Sequence, residues 1–166
     1  MRKPVTAYLG FGGNVGDVKA AMLWAIEEVG RLPGTDVVTV SQLYKTPPWG
    51  IKTQNWFLNS CMAVKTTIAP HALLRALIDI EVRAGRVRDL RWGPRTLDID
   101  ILTYGDYAIA TPGLTIPHPR MLERAFVMAP LADIAPNLVI GGASVQKISD
   151  AIRDPQMAVA ESAWVT

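Results

Sequence analysis

In the stretch RWGPRTLDIDIL, residues 91–102, two arginines, Arg91 and Arg95, stand within a few residues of two aspartates at the mouth of an otherwise apolar strand. Leu97, Ile99 and Ile101 alternate with Asp98, Asp100 and Leu102, the period-two pattern of a strand with one buried face. Both carboxylates therefore share the other face, about 6.5 Å apart along the strand. Two oxygen-ligand cations about 3.5–4 Å apart fit that span, with phosphate oxygens completing their shells, and Mg²⁺ is the matching ion. A D-x-D taken alone is more often an exposed strand face whose carboxylates pair with nearby arginines. A glycosidase carboxylate pair is a third reading, since inverting enzymes need a separation of about 6.5–9.5 Å. The arginines argue against it, because positive neighbours favour the ionised carboxylate and neither group would stay protonated as a general acid.

Arg83, Arg86, Arg88, Arg91 and Arg95 face only Asp89 in the same segment. Guanidinium groups make planar, bidentate contacts to phosphate oxygens that lysine does not reproduce. The plain alternative is a solvated basic loop. Trp92, Gly93 and Pro94 restrict this one, however, and a purely solvated loop seldom needs a tryptophan.

Glu81 lies near the end of a predicted helix, where the helix dipole disfavours negative charge, so it needs a partner: either an arginine of the following loop or a ligand. His118, held between Pro117 and Pro119 and followed by Arg120 and Arg124, fits a structural or a site role; His71, at a helix start, reads as surface. GGNVGD, residues 12–17, matches neither glycine-rich phosphate-binding pattern, and a tight strand-to-helix turn accounts for it. Phe57 and Asn59 share one strand face, where an aromatic ring and an amide could stack on and hydrogen-bond a flat heterocycle; a core-edge Phe and a turn-bonding Asn fit equally.

The elements that must position these groups follow from periodicity. Val5 to Phe11 is a strand that GGNVGD breaks, and Val18, Ala21, Met22, Ala25, Ile26 and Val29 recur at helical spacing, with Asn14 or Asp17 as cap and Pro33-Gly34 as stop. Val37 to Tyr44 and Trp56 to Lys65 are strands around the loop KTPPWGIKTQ, Pro70 to Gly85 bounds a second helix, and Leu97 to Thr103 is the next strand, turned at Tyr104-Gly105-Asp106 into a short further one. The order β-α-β-β-α-β predicts an α+β, ferredoxin-like antiparallel sheet with both helices on one face and the other face free for a site. From about Tyr107 a proline-rich extension, with short helices near Met121 to Met128 and Ser144 to Arg153, decorates the same domain.

Length and composition agree: 166 residues, 49% hydrophobic, suffice for one domain, 1–166, with a sizeable core. A formal charge of +2 is too small to announce a nucleic-acid partner. One cysteine, Cys61, excludes an intrachain disulfide, and no apolar run reaches the roughly 18 residues of a membrane span. With no signal-peptide pattern at the start, the expectation is an unprocessed cytoplasmic protein that engages neither membrane nor nucleic acid. An RNA-recognition module would share the element order, but its aromatic third-strand pattern is absent from NWFLNSCMAV.

RWGPRTLDIDIL, with TPPWG at 46–50, FLN at 57–59, E-x-x-x-G-R-V-R from Glu81 to Arg88 and IPHPRMLERAF at 116–126, resembles the 6-hydroxymethyl-7,8-dihydropterin pyrophosphokinases of folate biosynthesis. The resemblance implies a ferredoxin-like fold, ATP as co-substrate, and transfer of pyrophosphate to the pterin hydroxymethyl group by a monomer. It also implies that Asp98 and Asp100 hold two Mg²⁺, that Arg86 and Arg95 join them as catalytic residues, and that Arg86, Arg95, His118 and Arg124 face the ATP phosphates or their path. Glu81, Arg88 and Trp92 fall in the closing loop or nucleotide site, Trp92 also toward the pterin, and Ile101 and Thr115 fall near adenine and ribose. Phe57 and Phe126 would sandwich the pterin, with Asn59 and the backbone of Thr46, Pro47 and Trp49 reading its edge.

Overall fold

The computed structural model describes residues 2–47, 56–85 and 96–165. Strand β1 (Val5–Gly13) leads to helix α1 (Val18–Gly30), then β2 (Thr35–Val40), β3 (Leu43–Thr46), β4 (Phe57–Thr66), α2 (Pro70–Arg83) and β5 (Asp98–Tyr104). The remainder holds β6 (Ile109–Thr111), β7 (Leu114–Ile116), a 3₁₀ turn at Met121–Glu123, α3 (Ala125–Ile134), β8 (Val139–Ile140), β9 (Ala143–Ser144), α4 (Val145–Ala151) and β10 (Ala158–Glu161). Asp17 caps α1 by accepting the Ala20 N–H at 3.1 Å, and Pro70 opens α2 where its missing N–H costs nothing.

The main sheet runs β10-β3-β4-β1-β5, with β2 also paired to β4, and every pairing is antiparallel. Leu9, Met22, Leu73, Leu77, Ile99 and Ile101 belong to the core between the sheet and helices α1 and α2. Arg83 bridges these helices by pairing with Glu28, which holds the Glu28 carboxyl below its usual range.

The opposite face is not free, contrary to the one-sided packing expected from the element order. Cys61 of β4 and Leu102 of β5 form a second core with Met121, Met128, Leu131 and Val145, so the extension covers that part of the sheet. The reason is the sheet's own surface: apolar side chains on both faces need cover, and burying a residue such as Met128 or Leu131 contributes about 1.5–3 kcal/mol. The polar end of the same face, beyond this cluster, is where the site residues fall.

Three further elements depart from the sequence reading. The expected strand from Val37 to Tyr44 is two strands, broken where the Ser41 hydroxyl bonds the Ser60 hydroxyl at 2.8 Å and accepts the Cys61 N–H at 2.9 Å. β6 pairs with β7 rather than folding back on β5. β10, absent from the sequence reading, adds to the edge beside β3, and beyond it Trp164 is buried against Phe11 with its indole N–H donating to the Ser41 carbonyl at 2.8 Å.

Candidate active site

Strand register assembles the site in one cross-strand row. Asp98 on β5 lies opposite Gly12 on β1, Gly12 opposite Asn59 on β4, and Asn59 opposite Tyr44 on β3. The neighbouring row is Asp100, Gly10 and Cys61, and Phe57 lies opposite Thr46. Paired residues of an antiparallel ladder share a face, so both aspartates, Asn59 and Phe57 point to the same side of the sheet. Asp98 and Asn59 are two strand spacings apart, about 10 Å, with only a glycine between them. Asn59 donates through its side-chain amide to the Thr46 hydroxyl at 3.1 Å, which orients the amide at the end of β3.

Glu81 explains how β5 holds both aspartates at a sheet edge. It is 4% exposed, and its carboxylate accepts the backbone N–H of Ile99, the residue between them, at 2.7 Å. An edge strand offers backbone donors with no neighbouring strand to take them, and α2 supplies the acceptor. The charge at the unfavourable end of α2 therefore has a partner in β5. Glu81→Ala removes that acceptor from a buried donor and is expected to lower unfolding free energy by about 1–3 kcal/mol, whereas Glu81→Gln, which keeps an oxygen, recovers most of it; urea unfolding of the two variants measures this.

Beside the row lies a cavity of about 340 Å³ lined by Leu74, Asp100, Ile101, Leu114, Thr115 and His118, among others. Thr115 comes from the β6–β7 hairpin, and the cis Ile116–Pro117 bond precedes His118, whose N–H donates to the Leu102 carbonyl at 2.9 Å. The His118 ring accepts the Arg120 N–H at Nδ1, 3.2 Å away, leaving Nε2 as the protonated nitrogen of the neutral ring. Burial pushes the His118 pKa below the ordinary histidine value, opposed by Asp100 and assisted by Arg124 and Arg120. Arg124 precedes α3 and its guanidinium lies 5.6 Å from the centre of the Phe126 ring.

The structure thus brings Asp100, Ile101, Thr115 and His118 around one cavity, and Asp98, Asn59, Phe57 and Thr46 onto the adjoining sheet face, with Pro47 half-buried just beyond β3. Trp49, Arg86, Arg88, Trp92 and Arg95 lie outside the described residues. Leu74 is a lining residue that sequence reading missed: an apolar residue on an amphipathic helix carries the same signal whether it faces a core or a cavity. Among the described residues no group of three His, Cys, Asp or Glu side chains could hold a metal ion. Two carboxylates of one strand face suit a hard cation whose remaining oxygens come from phosphate and water, so the donor set fits Mg²⁺.

The family model described as 7,8-dihydro-6-hydroxymethylpterin-pyrophosphokinase (HPPK) matches residues 8–136, a span that contains every site residue above. The chain is 49% identical over 141 residues to the 2-amino-4-hydroxy-6-hydroxymethyldihydropteridine pyrophosphokinase of Methylorubrum extorquens, covering 85% of this chain and 89% of that one. It is 47% identical over 131 residues to the protein of the same name from Pseudomonas aeruginosa, covering 79% and 81%. In fold it resembles the solved Plasmodium falciparum HPPK-DHPS, with a TM-score of 0.74 at 16% identity over 91% of this chain; it spans only 45% of that longer chain. With well over half its length matched by the family model, the chain belongs to the 7,8-dihydro-6-hydroxymethylpterin-pyrophosphokinase family.

Proposed function

We propose that this chain, acting as a single-domain monomer, transfers the two terminal phosphates of ATP together to the hydroxymethyl oxygen of 6-hydroxymethyl-7,8-dihydropterin. The observation that carries the reading is the row Asp98–Gly12–Asn59, which sets metal-competent carboxylates and a heterocycle-reading amide on either side of a bare strand. Phe57 and Phe126 stack on the acceptor, while Asn59 and the Thr46–Trp49 segment read its polar edge. Ile101, Thr115 and Leu74 take the nucleotide, and His118 and Arg124, with Arg86, Arg88 and Arg95, take the phosphates. Asp98 and Asp100 would hold two Mg²⁺, which supply charge stabilisation along the triphosphate. Glu81 acts through β5, by keeping both aspartates on one face. The strand order β5-β1-β4 with β2 and β3 beyond, and α1 and α2 on one side, supports a ferredoxin-like core in which β2 and β3 are one broken strand. Among the described residues no helix is long and apolar enough to cross a membrane.

In the reaction the hydroxymethyl oxygen attacks the β-phosphorus. A carbon–oxygen–phosphorus link forms, the bond from the β-phosphorus to the α-bridging oxygen breaks with its electron pair leaving on AMP, and the hydroxyl proton is released. Positioning and electrostatics supply the catalysis, as expected for a charged, largely dissociative transfer. Phosphorus NMR of ATP mixed with the reduced pterin and enzyme should show AMP and a pterin diphosphate in equal amounts; ADP with a pterin monophosphate would overturn the assignment.

A further inference from the structure

Tyr44 stands in the site row, directly opposite Asn59. It is 8% exposed, and its hydroxyl donates to Asp133 near the end of α3, 2.8 and 2.9 Å from the two carboxylate oxygens. Gln42 adds its backbone N–H and its side-chain amide to the same Asp133 oxygen, each at 3.3 Å. Burial, with Asp133 adding to it, pushes the Tyr44 pKa well above the ordinary tyrosine value, so the hydroxyl remains a donor throughout the working range of pH.

An aspartate in the last turn of a helix is unfavourable against the helix dipole, so its place there asks for compensation. The three donors from β3 and its approach provide it. The same helix carries Phe126 at its opposite end; Pro130 lies between them and leaves the Phe126 carbonyl without its intrahelical partner, so the two ends are joined through the packing of the buried residues Val127, Met128 and Leu131. Packing fixes only part of α3. Met128 and Leu131 are buried against the sheet, but the flank bearing Ala125, Ala129 and Ala132 borders a cavity of about 390 Å³ shared with α4 and β10. Tyr44 and Asp133 line the same cavity, and their polar contact ties α3 to β3 on that flank.

We propose that the Tyr44–Asp133 hydrogen bond is a latch that fixes α3 over the sheet and thereby sets the gap between Phe126 and Phe57 into which the flat acceptor slides. Tyr44 and Asp133 are then positioning residues for acceptor binding. The inference rests on the reading of Phe126, Phe57 and Asn59 as acceptor contacts.

Steady-state kinetics on the full chain test it. Tyr44→Phe is expected to raise the KM for the reduced pterin about fivefold, the worth of one net hydrogen bond, with the KM for ATP and kcat within about twofold of wild type. Asp133→Ala approaches from the other partner and, because it also removes the acceptor of the two Gln42 donors, should produce a selective rise at least as large, while the double variant should be no worse than Asp133→Ala. Ile26→Val, in the core beneath the opposite face, lowers the melting temperature without touching either KM. An acceptor KM unchanged in Tyr44→Phe and Asp133→Ala, or one that rises only as much as in Ile26→Val at equal loss of melting temperature, overturns the latch. Phe126→Ala separates the two levels of the argument. If it raises the acceptor KM and the latch variants do not, the latch alone fails; if it leaves the acceptor KM unchanged, the aromatic pair is wrong and the latch falls with it.

Discussion

Asp98→Ala and Asp100→Ala are each expected to lower turnover by about 10²–10³-fold or more, the effect of removing one charge-stabilising group from a transition state, while the chain still folds. The two halves of that expectation come from different facts. Asp100 is exposed and Asp98 only half-buried on the rim of the sheet, outside both apolar clusters, so the substitutions create no cavity. Changes at such positions usually stay within about 0.5 kcal/mol. The turnover loss follows because a carboxylate on this face has few substitutes: no third His, Cys, Asp or Glu among the described residues stands close enough to complete a site in its place. Asparagine variants separate charge from oxygen donation, since they keep one oxygen and lose the charge. They should resemble the alanine variants if the charge matters, and all four should show weakened dependence on Mg²⁺. Rates measured under saturating pterin and limiting Mg²⁺, beside melting curves, decide it; wild-type rates in both alanine variants would remove the metal role from this pair.

The pair was legible because a strand with one buried face writes its geometry into the sequence: Ile99 and Ile101 are buried, and the alternating aspartates have nowhere else to go. Phe57 and Asn59 were legible for the same reason. The second core was not. α3 reads AFVMAPLADI, apolar almost all round, so no stripe on it announces which side meets a sheet, and Cys61 and Leu102 look like ordinary strand residues until the helix above them is seen. Contacts between distant segments leave still less trace. Tyr44 and Asp133 are 89 residues apart, and a tyrosine on a strand or an aspartate near a helix end has many innocent explanations. β10 is four residues of AVAE, too short for its period to register, and only its partner β3 makes it a strand.

The glycines of GGNVGD were read as a turn, yet β1 continues through both Gly12 and Gly13. Gly12 is required by closeness rather than by backbone conformation, since it is not among the glycines with positive φ. A Cβ built on it would lie 2.1 Å from the Leu58 carbonyl oxygen, 2.8 Å from Asn59 Oδ1 and 3.2 Å from the Asn59 Cα. Backbone cannot rotate away as a flexible side chain does, so Gly12→Ala must move β1 from β4 at the centre of the sheet. Overpacking of this kind costs about 1–3 kcal/mol and sometimes more. The displacement falls between Asp98 and Asn59, where misplacement of about 1 Å is enough for a 10²-fold loss of rate. Gly12→Ala is therefore expected to lose both stability, by about 2–3 kcal/mol, and turnover, by about two orders of magnitude. Gly10→Ala is the matched comparison one row away: its Cβ would meet only the Leu102 side chain, at 3.5 Å, an ordinary contact. That variant should unfold at nearly the wild-type denaturant concentration. Equal stability of Gly12→Ala and Gly10→Ala, with wild-type turnover in the former, would show that β1 and β4 separate at no cost and that the glycine between the carboxylate and the amide holds nothing in place.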